Sequence, residues 1–368
     1  MRIAVVAPLT APLLAADVHG SHAIVVDVAR GLAERGHAVV VVCADGSNVP
    51  DLPLATIPSA PGRRSRVLPG IAPRVLEKPM RDTYERAFAR VRAHQPDAVT
   101  QHAFDAVAIE LAEDLPVIHT LHRPPHVDPV VEALRRSTSP TFAVSETSGH
   151  DWVRVDVGPI GILPNGVPDL VRWPRGIGQR HAIEPDAVLI AGRIAPEKGT
   201  AESIRAALAA GLRPLVVGAV QDEDYFRSEV APLLPAGDVV RSVTRPALAA
   251  MMGRVAATVM ATGTDEPYSL LAAEAQTAGC PVVAYRRGAL PEIVEDGVTG
   301  ILVEPGAEAA LADALRAVGR LDRRRIRSLA LERFPVDGMV DAYEAELRRV
   351  AEAARTGAAR PIPLRQAG

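Results

Sequence analysis

The chain has 368 residues, 48% of them hydrophobic and 23% charged, an ordinary globular mixture too long for one hydrophobic core and so expected to form two domains. A formal net charge of -3 leaves no global positive field, which argues against nucleic acid as a partner, and 3% aromatic residues leave few stacking platforms. Cys43 and Cys280, each inside an apolar run and in no CxxC spacing, speak against zinc or an Fe–S cluster and predict buried thiols.

The first apolar run, Ile3 to Ala7, is too short for a secretory leader, and no stretch of 18 apolar residues occurs. The expectation is a cytoplasmic protein without a transmembrane span. Short β-branched runs at 2–7, 38–43, 54–57, 97–100, 116–120, 141–144 and 160–163 predict strands. Between them, helix patterns run over 21–35, 78–94, 103–114, 128–136 and 146–153, and Gly36 supplies a stop before the second strand. The Pro-, Gly- and Arg-rich segment 58–76 reads as a long surface loop.

The alternation breaks at Pro164-Asn165-Gly166-Val167-Pro168-Asp169 and Trp173-Pro174-Arg175-Gly176. A second series then sets strands at 187–191, 214–218, 238–240, 256–260, 281–284 and 300–303. Its helices are expected at 198–210, 223–233, 246–252, 269–278, 307–318, 322–333 and 337–355, and the tail Arg360–Gly368 is expected to fray. Continuous apolar strands separated by amphipathic helices imply parallel sheets covered on both faces. The reading is an α/β protein of two Rossmann-like parallel-sheet lobes facing a cleft. The domains are 1–164, then 165–345, with 346–368 packing back toward the first. In such sheets ligands bind beyond the carboxyl ends of the strands, so the loops there carry the chemistry.

Two of those loops stand out. Gly192-Arg193-Ile194-Ala195-Pro196-Glu197-Lys198-Gly199 places two cations just before a helix. Arginine by its fork and lysine as a point charge can neutralise a pyrophosphate there, although alone such a turn reads equally well as solvated surface. The second loop carries Glu266 ahead of a helix, with Glu274 about one and a half turns inside it. The amides of Ser269, Leu270 and Leu271 sit at the helix start, where N–H groups have no intrahelical partner and favour phosphate. Cations, amides and carboxylates together describe a nucleotide-sugar site. Arg286 and Arg287, beside Gly288 in a further loop after a strand, are candidates for donor or anionic acceptor. Asp222-Glu223-Asp224 reads as an acidic helix start rather than a metal site. No metal is assigned.

In order, these motifs cover nearly the whole chain and resemble the retaining, metal-independent glycosyltransferases of the GT-B fold that use nucleotide sugars, the family that includes bacterial phosphatidylinositol mannosyltransferase. The resemblance rests on Gly192 to Gly199, Pro164 to Val167, Glu266 to Glu274 followed by Ala278-Gly279-Cys280-Pro281-Val282-Val283-Ala284, Gly288 to Val294, and Gly297 to Val303. It implies a C-terminal helix that crosses back to the first lobe. It also implies that Arg193 and Lys198 bind the donor diphosphate, that Glu274 binds the ribose, and that Glu266 lies beside the donor sugar. His122 is implied to point at that sugar and ranks above His119, which falls within a strand. His102 is a further candidate for touching the acceptor. The family's Gly-Gly before the first long helix is here His19-Gly20, with Gly20 at the phosphate and His19 a candidate acceptor contact. Tyr268-Ser269 replaces the family's Phe-Gly.

The expected activity is therefore transfer of a sugar from a UDP- or GDP-hexose to an acceptor hydroxyl, on a small molecule ahead of a lipid or polymer. The nucleotide sugar is the donor substrate, and no cofactor is expected. A nucleotide-sugar epimerase, a sugar phosphorylase and a non-catalytic nucleotide-sugar-binding protein are the alternatives.

Overall fold

Each apolar run of the first half becomes a strand of one parallel sheet. The computed structural model describes residues 1–14, 20–59, 74–171, 184–234, 239–240 and 243–363. In chain order the first series is β1 (Arg2–Val6), α1 (Gly20–Glu34), β2 (Ala38–Ala44), β3 (Leu54–Ile57), α2 (Arg74–Ala93), β4 (Ala98–Gln101), α3 (Ala106–Glu110), β5 (Val117–Leu121), α4 (Asp128–Arg136), β6 (Thr141–Ala143), α5 (Glu146–Val153) and β7 (Ile160–Ile162). The sheet order is β3-β2-β1-β4-β5-β6-β7, so the winding reverses between β1 and β4.

The second series is β8 (Glu184–Ala191), α6 (Thr200–Ala209), β9 (Arg213–Val217), α7 (Glu223–Tyr225), β10 (Val239–Val240), α8 (Arg245–Met252), β11 (Val255–Met260), α9 (Leu270–Thr277), β12 (Val282–Tyr285), α10 (Leu290–Ile293), β13 (Gly300–Val303), α11 (Glu308–Ala317) and α12 (Arg323–Arg333). Its sheet order is β10-β9-β8-β11-β12-β13, reversing between β8 and β11. Strand alternation feeds two cores. Ala187, Leu189, Val282 and Ala284 point to the face covered by α8, α9 and α12, while Val188, Ile190, Val259 and Val283 point to the face covered by α6 and α11. Cys43 and Cys280 are both buried free thiols.

The chain divides into one unit of Met1–Gly166 with Val336–Gly368 and another of Val167–Pro335. All of α13 (Val336–Thr356) thus belongs to the first unit, not only its end from 346 as the sequence suggested. Its apolar stripe explains why: Met339, Val340, Tyr343, Leu347 and Val350 are buried. Val340 lies so close to Gly31 of α1 that a Cβ there would sit 2.5 Å from it. The tail also departs from expectation. Arg360 is bonded to the Glu113 carbonyl and to Ser139, and Pro363 is buried against Gly161, so the segment to 363 is docked.

Other departures have local causes. The predicted helix 103–114 contracts to α3, with Asp105 at its N-cap position bonded to the Tyr84 hydroxyl (2.6 Å) and with turns over 111–114. The predicted helix 223–233 is broken, widening to a π turn over Phe226–Val230 and tightening to a 3₁₀ turn at Ala231–Leu233, where Pro232 contributes no N–H. Most of the predicted 58–76 loop lies outside the described residues, and α2 begins at Arg74. No helix among the described residues is long and apolar enough to cross a membrane.

Helix α12 is polar for a reason. Arg323 donates to the carbonyls of Met252 (3.2 Å), Gly253 (3.2 Å) and Val255 (2.9 Å), at the end of α8. Arg327 donates to the Thr277 carbonyl ending α9, and Arg333 to the Ile293 carbonyl (3.2 Å) ending α10. Helix C-termini leave carbonyls without intrahelical partners and carry partial negative charge, so these cations satisfy both needs. Arg327 thus pins the C-terminal end of α9.

The loops after β8 and β11 touch through Gly199. Its φ is 60°, and an added Cβ would fall 1.9 Å from the Ala261 carbonyl oxygen. Gly199→Ala is therefore expected to destabilise by about 1 kcal/mol or more and to lower the thermal unfolding midpoint by a few degrees. An unchanged midpoint in calorimetry would show that the two loops are not held in register there.

Candidate functional site

The second unit's candidate residues gather at the reversal between β8 and β11, the position where loops diverge from adjacent parallel strands. The loop after β8 carries Arg193, Glu197 and Lys198, and the loop after β11 carries Asp265 and Glu266. Lys198 Nζ donates to Glu266 Oε1 at 2.5 Å, with both side chains partly buried. The Gly263 amide and the Thr262 hydroxyl both donate to the Glu197 carbonyl, at 2.9 and 3.2 Å, so the two loops are stitched by backbone as well as by charge. Arg193 is bonded to Glu197 (3.1 Å) and to Gln221 in the loop after β9.

The third loop, after β12, closes on the same place. Gly288 has φ 53°, and a Cβ on it would lie 2.5 Å from the Glu266 amide nitrogen. Ala289 donates its N–H to the Glu266 carbonyl at 3.0 Å. Arg287 bonds Asp265 (3.1 Å) and the Gly263 carbonyl (2.5 Å), bracing the loop after β11. Arg286 turns elsewhere, to Asp296 (2.5 Å) and Glu304 (3.6 Å), on the more exposed side.

Helix α9 begins where predicted. Ser269 is its buried N-cap, its hydroxyl accepting from the Ala272 amide at 3.4 Å. The first intrahelical bond is Ala273 N–H to Ser269 O, so the amides of Ser269, Leu270 and Leu271 precede it. Glu274 is not an isolated carboxylate. Arg245, the first residue of α8, bonds it at 2.5 Å, and both side chains are about nine-tenths buried. Sequence reasoning missed Arg245. Its only signal was a lone arginine following Thr244, which caps α8 by accepting from the Ala247 amide.

The first unit builds a second cluster at its own reversal, between β1 and β4. His102 follows β4 and His122 follows β5, so neighbouring strands deliver them side by side. His102 Nδ1 and His122 Nε2 are 2.8 Å apart, and His102 Nε2 lies 3.0 Å from the Thr100 hydroxyl. Tyr343 of α13 stacks on His102 with ring centroids 5.7 Å apart, and its hydroxyl donates to Thr120 at 3.3 Å. Buried His22 of α1 lies close enough to act on His122 electrostatically. Burial, then the proximity of His122, holds His102 well below the usual imidazole range. Burial, then His22 and Arg123, brings His122 down to about 4. Both rings are neutral at pH 7.

His102 therefore differs from its expected part. It is 1% exposed and both ring nitrogens are engaged, so it offers nothing to an acceptor molecule. His119 is buried within β5, as its place in a strand implied. Gly20 is the first residue of α1, and His19 lies outside the described residues. Asp222 caps α7, accepting from the Asp224 (3.1 Å) and Tyr225 (2.9 Å) amides, as an acidic helix start should. Among the described residues no three His, Cys, Asp or Glu side chains converge so as to hold a metal ion.

Known proteins resemble this chain along its length. Residues 178–328 match the family described as glycosyl transferases group 1, and residues 18–169 match glycosyltransferase family 4. A D-inositol 3-phosphate glycosyltransferase of Geodermatophilus obscurus is 30% identical over 418 residues, covering 96% of this chain and 91% of the relative. A glycogen synthase of Mycobacterium tuberculosis is 29% identical over 305 residues, covering 74% and 72%. Among solved structures, Anabaena HepE in complex with UDP and glucose aligns with a TM-score of 0.71 at 19% identity, covering 95% of this chain and 99% of HepE. Sucrose-phosphate synthase from Thermosynechococcus elongatus aligns at 0.69 and 20%, covering 96% and 98%. With GT-B glycosyltransferases as its structural neighbours and a 30% identical transferase matching it almost end to end, the chain belongs to the group 1 glycosyltransferases.

Proposed function

We propose that the protein transfers a hexose from a nucleoside diphosphate sugar to a hydroxyl of a small acceptor, with retention at the anomeric carbon and without a metal ion. The observation that carries this reading is the Lys198–Glu266 pair, 2.5 Å apart at the reversal of the second sheet, with Glu266 in the loop that leads into the N-terminus of α9. Breaking the anomeric C–O bond leaves the electron pair, and hence negative charge, on the diphosphate. Lys198, Arg193 and the amides of Ser269, Leu270 and Leu271 supply fixed positive charge and N–H dipoles for it. Glu266 then accepts from hydroxyls of the sugar, and Gly20 leaves room for backbone to approach the phosphate. His122 acts on the transferring sugar.

Glu274 takes the ribose hydroxyls in this reading. Its pairing with buried Arg245 aims the carboxylate, since one guanidinium offers several donors in a rigid fork. Retention follows from attack on the face that the phosphate leaves. Both carboxylates are tied to cations, which suits them to binding rather than to nucleophilic attack. The names of the relatives support a small acceptor, because a transferase named for inositol phosphate matches almost the whole chain. HepE solved with UDP-glucose supports a UDP-hexose donor. Arg287, which braces the loop of Glu266, serves the donor side; Arg286 is the better placed for an anionic acceptor.

The direct test is thermal shift with a panel of nucleoside diphosphates and their sugars, followed by product analysis with inositol phosphates and other small polyols. Lys198→Ala and Arg193→Ala are each expected to lower transfer by roughly 10²-fold or more. Near-normal turnover in both would remove the leaving-group assignment. Arg245→Met is expected to weaken donor binding by about tenfold and also to lower the thermal unfolding midpoint, since it removes the cation of a buried ion pair. Calorimetric titration with the nucleoside diphosphate reads this, and unchanged affinity would separate Glu274 from the ribose. Activity is expected to survive a chelator. Loss on chelation, restored by Mg²⁺ or Mn²⁺, would replace the cationic leaving-group site with a metal-dependent one.

A further inference from the structure

The histidine pair in the first unit has a direction. A neutral imidazole carries one N–H and one bare nitrogen, so the chain Thr100 Oγ1–His102–His122 has room for one proton at each contact. Two arrangements satisfy the distances. In one, the Thr100 hydroxyl donates to His102 Nε2, His102 Nδ1–H donates to His122 Nε2, and the proton of His122 sits on Nδ1. In the other every bond is reversed, and Thr100 only accepts. The second arrangement strands the Thr100 hydroxyl proton. Thr100 is fully buried, and among the described residues His102 is its only side-chain hydrogen-bond partner. A buried hydroxyl without an acceptor is disfavoured, so the first direction holds.

We propose that Thr100 and His102 are positioning residues that order the proton of His122 onto Nδ1, making His122 a hydrogen-bond donor to an oxygen of the transferring sugar and not a base. The inference rests on the reading that gives His122 a part in transfer, but the tautomer can be measured without it. Three features fix the arrangement. His102 lies near-parallel to the Tyr343 ring, with centroids 5.7 Å apart, and meets the His122 ring through their 2.8 Å nitrogen contact. The strands deliver Thr100 and His102 from one face of β4, two residues apart. Burial, then His22 and Arg123, oppose an extra proton on His122. A donor at Nδ1 suits the lone pairs of a sugar hydroxyl oxygen, whereas a bare Nδ1 would accept a hydrogen bond or a proton from a hydroxyl. The same residue would then do different chemistry.

The experiment is long-range ¹H–¹⁵N correlation on the full-length protein labelled in histidine, with the His122 signals assigned by their loss in His122→Gln. The expected result is a protonated Nδ1 and a bare Nε2 for His122 in the unmodified protein. Thr100→Val, which keeps shape but removes the hydroxyl, is expected to turn this into a mixture of tautomers and to lower kcat by roughly tenfold with KM for the donor unchanged. Thr100→Ser is expected to restore both. A His122 protonated on Nε2 in the unmodified protein overturns the proposal even if Thr100→Val does not fold, and so does a Thr100→Val spectrum identical to the original. If the Nδ1–H form is found but His122→Gln transfers sugar normally, the proton order stands and the part given to His122 in transfer fails.

Discussion

A parallel sheet can be covered only by crossovers, and crossovers route every loop past one end or the other of the strands. Where the winding reverses, two neighbouring strands send their chains to opposite faces, and the space above their carboxyl ends is left open to side chains. Both units obey this constraint. In the second, β8 and β11 part company and Lys198 meets Glu266 above the gap. In the first, β1 and β4 part, and His102 and His122 meet on the β4–β5 side of it. The polar chemistry of each unit is thereby confined to one edge of an otherwise apolar sheet.

Within that confinement the two units solve the cost of buried polar groups differently. The second uses opposite charges: buried Arg245 with Glu274, and partly buried Lys198 with Glu266. Removing water from an ion alone is expensive, and pairing it with an opposite charge offsets that cost. The first uses neutral rings in a hydrogen-bonded row, where burial depresses basicity and no counter-charge is required. A ligand rich in negative charge suits the former, and uncharged hydroxyls suit the latter.

Most of this was legible in the residues. Strands came through because runs such as Val39 to Cys43 are buried on both faces and leave little room for another reading. The cationic turn and the start of α9 were legible because glycines and a capping serine sit where the backbone demands them. Arg245 was not, because its meaning arises only when α8 and α9, 29 residues apart at the contact, come together. The His102–His122 bond was hidden for the same reason: strand register, not sequence spacing, sets it. The Tyr84–Asp105 bond at the start of α3 was hidden too, because it joins residues 21 apart in sequence. The docked tail likewise depends on Arg360 finding Glu113 and Ser139, residues far back in the chain.

Helix α13 is separated from the rest of its unit by the entire second unit. During synthesis, residues 167–335 emerge as an uninterrupted stretch able to reach their final form at once. The earlier portion must wait, with Gly31 and the surrounding flank of α1 uncovered, until the ribosome has delivered Val340 and Tyr343. The nascent N-terminal half is thus the aggregation-exposed one, although it is made first. The histidine row gains its stacking tyrosine only when translation has passed residue 343, which ties maturation of that cluster to near-completion of the polypeptide.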